Sequence, residues 1–310
     1  MAGAVLASGM AMAQGDKQVR LIVTGAAGSG MDGIARAMSP ALSRAAGQGV
    51  VIENLAGAGG VTGTAALARA PKDGSTLGIV SSNHAINPAI YKSMPYDSAK
   101  DVTPISVLGT VPIVLLVNNE VPASNLKEFI ALLKARPGHY NYGSGGNGSA
   151  LHLAGELFAS EAKVEVRHVP YKSNANLTTD LIGGQIQFGY LAVSSAAGLV
   201  KSGKLKALGV TTTQRSVALP EVPTLAEAGL PQYSFDAWVA LVAPTGVPQA
   251  AIAQWYGHVK TALAQKEVQD ALALQGVTPV GMPPEQAVPF FKGEFAKHAA
   301  LVKLSGASAD

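Results

Sequence analysis

The chain has 310 residues, 48% hydrophobic and 14% charged, with a formal net charge of +3, which is enough apolar material for one large domain or two ordinary ones. Its 23 Lys and Arg are scattered and form no basic run, so nothing marks a nucleic-acid partner. The absence of Cys excludes a disulfide scaffold, a thiolate metal site and a Cys nucleophile.

Ala4 to Ala13 form a short run of small and apolar residues ending in Ala11-Met12-Ala13, an A-x-A-like processing site. Residues 1–13 are therefore read as the remnant of a secretory signal, with Gln14 as the first mature residue and the periplasm as destination. No later segment reaches the roughly 18 to 20 uninterrupted apolar residues of a membrane span, so no direct membrane insertion is expected.

From Val19 the pattern reads strand (Val19 to Val23), Gly-rich loop (Thr24 to Met31), and Asp32 as N-cap of an apolar-periodic helix ending near Ala46-Gly47. A second strand at Val50 to Ile52, a Gly-rich stretch opening a helix to about Ala70, the turn Pro71 to Gly74 and a strand from Thr76 to Val80 continue the alternation, and a polar loop with Asn83 and His84 follows. Strands alternating with helices at this spacing predict mostly parallel sheets. After the β-branched strand Ile113 to Val117 the rhythm restarts: helix Leu126 to Ala135, strand Tyr140 to Gly143, a second Gly/Ser loop at Ser144 to Ser149, a helix to Ala159, strand Val164 to Val169, helix Leu177 to Ile182, and strands Gln187 to Ala192 and Lys206 to Thr211. A strand-like run, Trp238 to Val242, precedes helices at Gln249 to Gln265, Glu267 to Leu274 and Pro284 to Leu304, which have no predicted sheet of their own and are expected to pack back on the first lobe. The reading is two α/β lobes, 14–110 with 236–310 and 111–235, joined by crossovers near 105–115 and 230–240.

Gly25-Ala26-Ala27-Gly28-Ser29-Gly30 and Ser144-Gly145-Gly146-Asn147-Gly148-Ser149 occupy equivalent places, after a strand and before a helix. Bare backbone N–H groups and the helix behind each loop can hold an anion without Arg, and two such loops facing each other can grip a small carboxylate from both sides. The first loop also satisfies G-x-G-x-x-G through Gly28, Gly30 and Gly33, with Glu53 at the end of the next strand, so the alternative reading is an NAD(P)-binding oxidoreductase. Against it stand the export signal and Asp32, a negative charge at the helix mouth. No catalytic constellation emerges: no two of the six His stand at the i, i+4 metal spacing of an H-E-x-x-H motif, and no G-x-S-x-G elbow occurs. His84 and His152 fall beside predicted site loops, where bracing is the expected role, and Trp238 is placed either in the cleft or in the packing of the hinge.

In their order the motifs resemble the receptors of tripartite tricarboxylate transporters, the Bug-type solute-binding proteins. The matching pieces are VRLIV with its loop ending in Asp32, VVIENLAGAGGVTGT from Val50, HAINPAIYKSMPYD from His84, YNYGSGGNGSALHLAGE from Tyr140, VPYK from Val169, KSGKLKALGVTTTQRS from Lys201, LPEVPTLAEAGLP from Leu219 and LVAPTGVP from Leu241. The resemblance implies a two-lobed type II periplasmic-binding fold with flytrap closure, no cofactor, no enzymatic activity, and a monomer that delivers its ligand to the transporter's membrane subunits. It implies ligand contacts from Ala27, Gly28, Ser29, Gly30 and Asp32, from Asn83 and His84, from Ser144, Gly146, Asn147 and Ser149, from Tyr171 and Lys172, and from Tyr190 and Leu191. Two departures stand out: TGAAGSGMD replaces the common PFPAGGGTD, and Leu191-Ala192 follows Tyr190 where many members carry an Asp. The second departure disfavours an amino-acid ligand and favours a carboxylate with a flat or apolar body.

Overall fold

The computed structural model describes residues 18–308, so the processing site read at Ala11 to Ala13 lies outside the described residues. The chain lays down β1 (Val19–Val23), α1 (Gly30–Ala46), β2 (Val50–Asn54), α2 (Val61–Ala68), β3 (Thr76–Ser81) and α3 (Asn83–Ile90). Every residue of β1 except Arg20 is buried, as a strand covered on both faces requires, and it pairs in parallel with β2 on one side and β3 on the other. The ten-residue β4 (Val102–Val111) then runs through Pro112 into β5 (Ile113–Val117), which belongs to a second sheet.

That sheet is completed after α4 (Leu126–Ala135) by β6 (Asn141–Ser144), α5 (Ala150–Ala162), β7 (Arg167–Pro170), α6 (Asn174–Ile182), β8 (Phe188–Ala192), α7 (Val193–Lys201) and β9 (Lys206–Val210). The chain returns to the first sheet as β10 (Ala237–Pro244), followed by α8 (Gln249–Leu263), α9 (Lys266–Leu274), β11 (Thr278–Met282) and α10 (Pro284–Ser305). Strand order is β11-β4-β10-β3-β1-β2 in the first sheet and β7-β6-β8-β5-β9 in the second.

Both sheets are mixed rather than mostly parallel. β10 runs antiparallel to β3 and β4, and β5 antiparallel to β8 and β9, because these strands enter from the other sheet instead of arriving through a helical crossover. The C-terminal segment also adds a strand of its own, β11, against β4. Its sequence Thr278-Pro279-Val280-Gly281-Met282 breaks the usual strand pattern, and a Pro without an N–H is tolerated there because β11 is an edge.

Each sheet is buried on both faces. Leu21, Met38, Ile79, Leu241 and Trp255 pack between the first sheet and α1 and α8, while Ile22, Trp238 and Phe291 fill its other face. In the second sheet Phe129, Tyr142, Phe158, Phe188 and Tyr190 form an aromatic cluster on one face, and Leu116, Leu177, Leu191 and Val210 fill the other. Fully burying one such side chain contributes roughly 1.5–3 kcal/mol. Helix α10 joins the two bodies: Phe291 packs on Trp238 at 4.9 Å between ring centroids, whereas Leu301 and Val302 join the aromatic cluster of the second sheet. The Trp238 indole N–H donates to Glu294 at 2.8 Å and His298 donates to the same carboxylate oxygen at 3.1 Å, which satisfies polar groups that would otherwise be costly at this depth. Among the described residues no helix is long and apolar enough to cross a membrane.

Candidate functional site

β1 lies between β2 and β3, and β6 lies between β7 and β8, all in parallel pairs. In each sheet the first helix crosses to one side of the central strand and the second returns to the other, so a crevice opens at the carboxyl ends of β1 and β3 and again at those of β6 and β8. The segments following these four strands hold the two Gly-rich loops, Ser82 with Asn83 at the start of α3, and Ser194 with Ser195 in the first turn of α7.

The two loops repeat one another atom for atom in their capping. Ser29 is the N-cap of α1 and its Oγ accepts from the Asp32 N–H at 3.4 Å; Ser149 is the N-cap of α5 and its Oγ accepts from the His152 N–H at 3.2 Å. The third helical residue then turns back on the loop. Asp32 Oδ2 accepts from the Gly28 N–H at 2.9 Å, and His152 Nδ1 accepts from the Gly148 N–H at 3.0 Å. One turn further along, Arg36 donates to Asp32 at 2.9 Å and Glu156 lies 3.6 Å from His152 Nε2. Gly28 and Gly148 both sit in the left-handed region, at φ +78° and +69°, where a side chain is strained. The Arg36 hydrogen bond and then that of Gly28 hold the Asp32 carboxyl down at about 2, so it is ionised at any ordinary pH. Asp32 is therefore not the N-cap, a place taken by Ser29, although its carboxylate is tied into the cap.

Between the two sheets lies a cleft of about 410 Å³ whose lining comes from both bodies: Ser29, Gly30, Met31, Ser82, Asn83, Trp238 and Gln275 on one side, Ala150, Asn174, Ala192, Ser194 and Ser195 on the other. None of its lining residues is charged. Backbone N–H groups, hydroxyls and amides are the available anion donors, over walls of Met31, Ile34, Val111, Ala237 and Trp238, the composition expected of a small-molecule site. A larger groove of about 560 Å³ runs outside α3 against α10, but the duplicated loops do not reach it.

The residues expected at the site divide into three groups. Ser29, Gly30 and Asn83 line the cleft; Ala27, Gly28, Gly146, Asn147 and Ser149 belong to the two loops at its edge; the rest turn elsewhere. Asn83 and His84 open helix α3 rather than forming a loop, and this directs His84 inward, where its Nε2–H donates to the Ser98 carbonyl at 3.1 Å and its ring packs against Tyr96, Phe291 and Phe295. Burial holds this imidazole down at about 4, against the opposing pull of the Ser98 bond. Ser144 is fully buried and braces its own loop, donating to the Gly146 carbonyl and accepting from Gly146 N–H and from His168 Nε2. Tyr190 and Leu191 are fully buried on opposite faces of β8, so neither side chain reaches the cleft. Tyr171 donates to Asp180 at 2.8 Å and Lys172 is exposed. Sequence reasoning missed Met31, Asn174, Ser194, Ser195 and Gln275. A pair of Ser in the first turn of the helix that follows a strand is the one local signal that marks Ser194 and Ser195.

The dinucleotide alternative fails on geometry. The order β2-β1-β3 differs from the 3-2-1 half of a dinucleotide fold. Glu53 is held by Arg20 at 2.7 Å rather than standing free for a ribose. Gly33, the third fingerprint glycine, makes room for the Gln275 side chain, not for close helix–strand packing.

The sequence matches the model of the tripartite tricarboxylate transporter family receptor over residues 34–306. It is 36% identical over 293 residues to the protein BugT of Bordetella pertussis, covering 94% of this chain and 90% of that one. Among solved structures, one described as a periplasmic transporter superposes with a TM-score of 0.81 at 36% identity, covering 96% of this chain and all of the other. R. palustris Rpa4515 with adipate gives a TM-score of 0.81 at 32% identity, with coverage of 94% and 98%. MatC from Rhodopseudomonas palustris with bound malate gives 0.76 at 28%, with coverage of 92% and 99%. In sequence and in fold, the chain belongs to the family of tripartite tricarboxylate transporter receptors.

Proposed function

We propose that this receptor holds a small carboxylate, a dicarboxylate or one with a flat or apolar body, in the cleft between the sheets, does no chemistry on it, and passes it as a monomer to the membrane subunits of a tripartite tricarboxylate transporter. Residues 14–110 with 236–310 and residues 111–235 act as the two lobes, which fits the crossings at Pro112 and before β10. Export with processing after Ala13 belongs to the same reading. The observation that carries it is the duplicated loop: two helix N-termini border one uncharged cleft, and a carboxylate at each end meets partial positive charge with no competing anion on the lining. The relatives solved with adipate and malate support the ligand class.

A free amino acid fits less well. Its ammonium would need an anionic partner once desolvated, and the nearby acid, Asp32, already answers Gly28 N–H and Arg36. The test is thermal unfolding in the presence of adipate, malate, benzoate, aspartate and glutamate. A ligand at 100 times its Kd adds about 2.7 kcal/mol, and that gain is expected from at least one plain carboxylate. Stabilisation by aspartate or glutamate alone overturns the ligand class; turnover of a stabilising ligand overturns the receptor role.

A further inference from the structure

The second loop rests on two stacked imidazoles. His152 and His168 lie 3.8 Å apart between ring centroids with their planes 12° from parallel. His168 Nε2 meets Ser144 Oγ at 2.6 Å, and Ser144 in turn donates to the Gly146 carbonyl. Since Ser144 gives its only proton to that carbonyl, the His168 nitrogen is the donor. His152 Nδ1 accepts from Gly148 N–H at 3.0 Å, so its proton sits on Nε2, facing Glu156 Oε1 at 3.6 Å. Loop one has a carboxylate oxygen, Asp32 Oδ2, in the same role.

We infer that His152 is the positioning residue of the second anion loop, as Asp32 is of the first, and that it holds Gly148 and Ser149 in place only while its imidazole is neutral, so that the second loop loosens on acidification and the first does not. An imidazolium carries hydrogen on both nitrogens, and a proton on Nδ1 would point at the Gly148 N–H, donor against donor. Glu156 stands ready as counter-ion: burial pushes its carboxyl up, and the His152 and Tyr142 hydrogen bonds more than offset this. The other titratable groups facing the pair are Tyr142 on β6, Tyr190 on β8 and Tyr233 before β10, all pushed further from ionisation, by burial first. Burial and then the neighbouring His152 hold His168 down at about 4, since two imidazolium rings in a stack repel.

The functional consequence rests on the carboxylate reading of the cleft, and the decisive test does not. In isotope-labelled protein the amide proton of Gly148 is followed by NMR over roughly pH 8 to 4, the range in which imidazoles charge. It is expected to lose its hydrogen-bonded shift as the pH falls, while that of Gly28 stays fixed. His152→Asn places an oxygen where Nδ1 stood, as Asp32 does in loop one, and should keep the Gly148 shift while removing its pH dependence. His152→Leu should lose the shift at every pH; if that variant does not fold, wild type against H152N decides alone. A Gly148 proton that stays fixed from pH 8 to 4, or that moves identically in H152N, overturns the inference. In parallel, adipate affinity should fall on acidification roughly fivefold or more further in wild type than in H152N, since protonation of the ligand's own carboxylates weakens both alike. If adipate does not bind at pH 8, the ligand reading needs revision while the NMR outcome still judges His152.

Discussion

At the end of β8 successive side chains part company: Tyr190 enters the aromatic cluster, Leu191 the opposite face, and Ala192 is the first to reach the cleft. An acid that recognised an ammonium at this turn would therefore act from position 192. Ala192 is also the N-cap of α7 and makes no side-chain capping bond, so Ala192→Asp should raise stability by about 1 kcal/mol through a new cap. The same carboxylate, about 5 Å from a bound anion at an effective dielectric near 20, should weaken carboxylate binding by roughly 3 kcal/mol, two orders of magnitude. Leu191→Asp should instead lose ~3 kcal/mol or more by burying an unpaired charge. Urea titration and calorimetry with adipate, or with whichever carboxylate stabilises the wild type, separate the two; unchanged affinity in A192D would remove this turn from the site. The register of β8 explains why Leu191 was expected at the cleft. A motif places a turn, but the face on which each residue falls depends on strand pairing between residues far apart in the chain, as Leu191 against Val114 illustrates. Ser29, Gly30 and Asn83 were legible because small and polar residues between a strand and a helix have few other uses. Ser144 was misplaced for the opposite reason: a hydroxyl in such a loop serves as readily to brace it as to meet a ligand.

Among the elements, the α3–α10 joint carries an unusual buried histidine. His84 is 3% exposed, its Nδ1 has no hydrogen-bond partner, and its ring is enclosed by Tyr96, Phe291 and Phe295. In the unfolded chain this imidazole takes a proton near pH 6.5, but in the native joint only at about 4. Between those values the unfolded state binds more protons, so stability is complete above about pH 6.5 and falls as the pH drops towards 4, by roughly 3 kcal/mol from this group. His84→Phe keeps the aromatic packing and should flatten that part of the stability–pH curve; curves for wild type and variant that run parallel from pH 7 to 4 would refute it. The joint was hidden in the sequence because His84 and α10 are some 200 residues apart, and the polar run around Asn83 reads as a loop until Pro88, tolerated in the helix, is seen inside it. The strands and helices with clear periodicity, β1, α1, α4 and α8 among them, were found near their true limits. Those that were missed depend on partners: β4 pairs with β10 and β11, β11 is a Pro- and Gly-broken edge, and α7 begins without any capping residue.

The whole molecule is one βαβαβ motif used twice, β1 to β3 and β6 to β8, with the crossing strands inserted beside the last strand of each, and this symmetry sets both Gly-rich loops at the mouth of one cleft. The two bodies touch through glycines. A methyl group at Gly148 would stand 2.7 Å from Ile90 on α3, and one at Gly276, in the turn between α9 and β11, 2.6 Å from the Ser194 side chain at the start of α7. Close approach across the cleft thus requires the absence of a side chain at these points. If the bodies close as lobes, Gly276→Ala should hold them apart and reduce ligand affinity without touching the ligand. Gly276 has φ +73°, so Ala there also carries backbone strain of about 1 kcal/mol. Gly203, in the turn after α7 at φ +68°, has nothing within 4 Å of the place a methyl would take, and Gly203→Ala serves as the matched control: both variants should lose a similar amount of stability, but only G276A should bind carboxylate more weakly and show a larger radius of gyration by X-ray scattering with ligand present. Equal affinity and equal radius in the two variants would mean that the Gly276–Ser194 contact is incidental to closure.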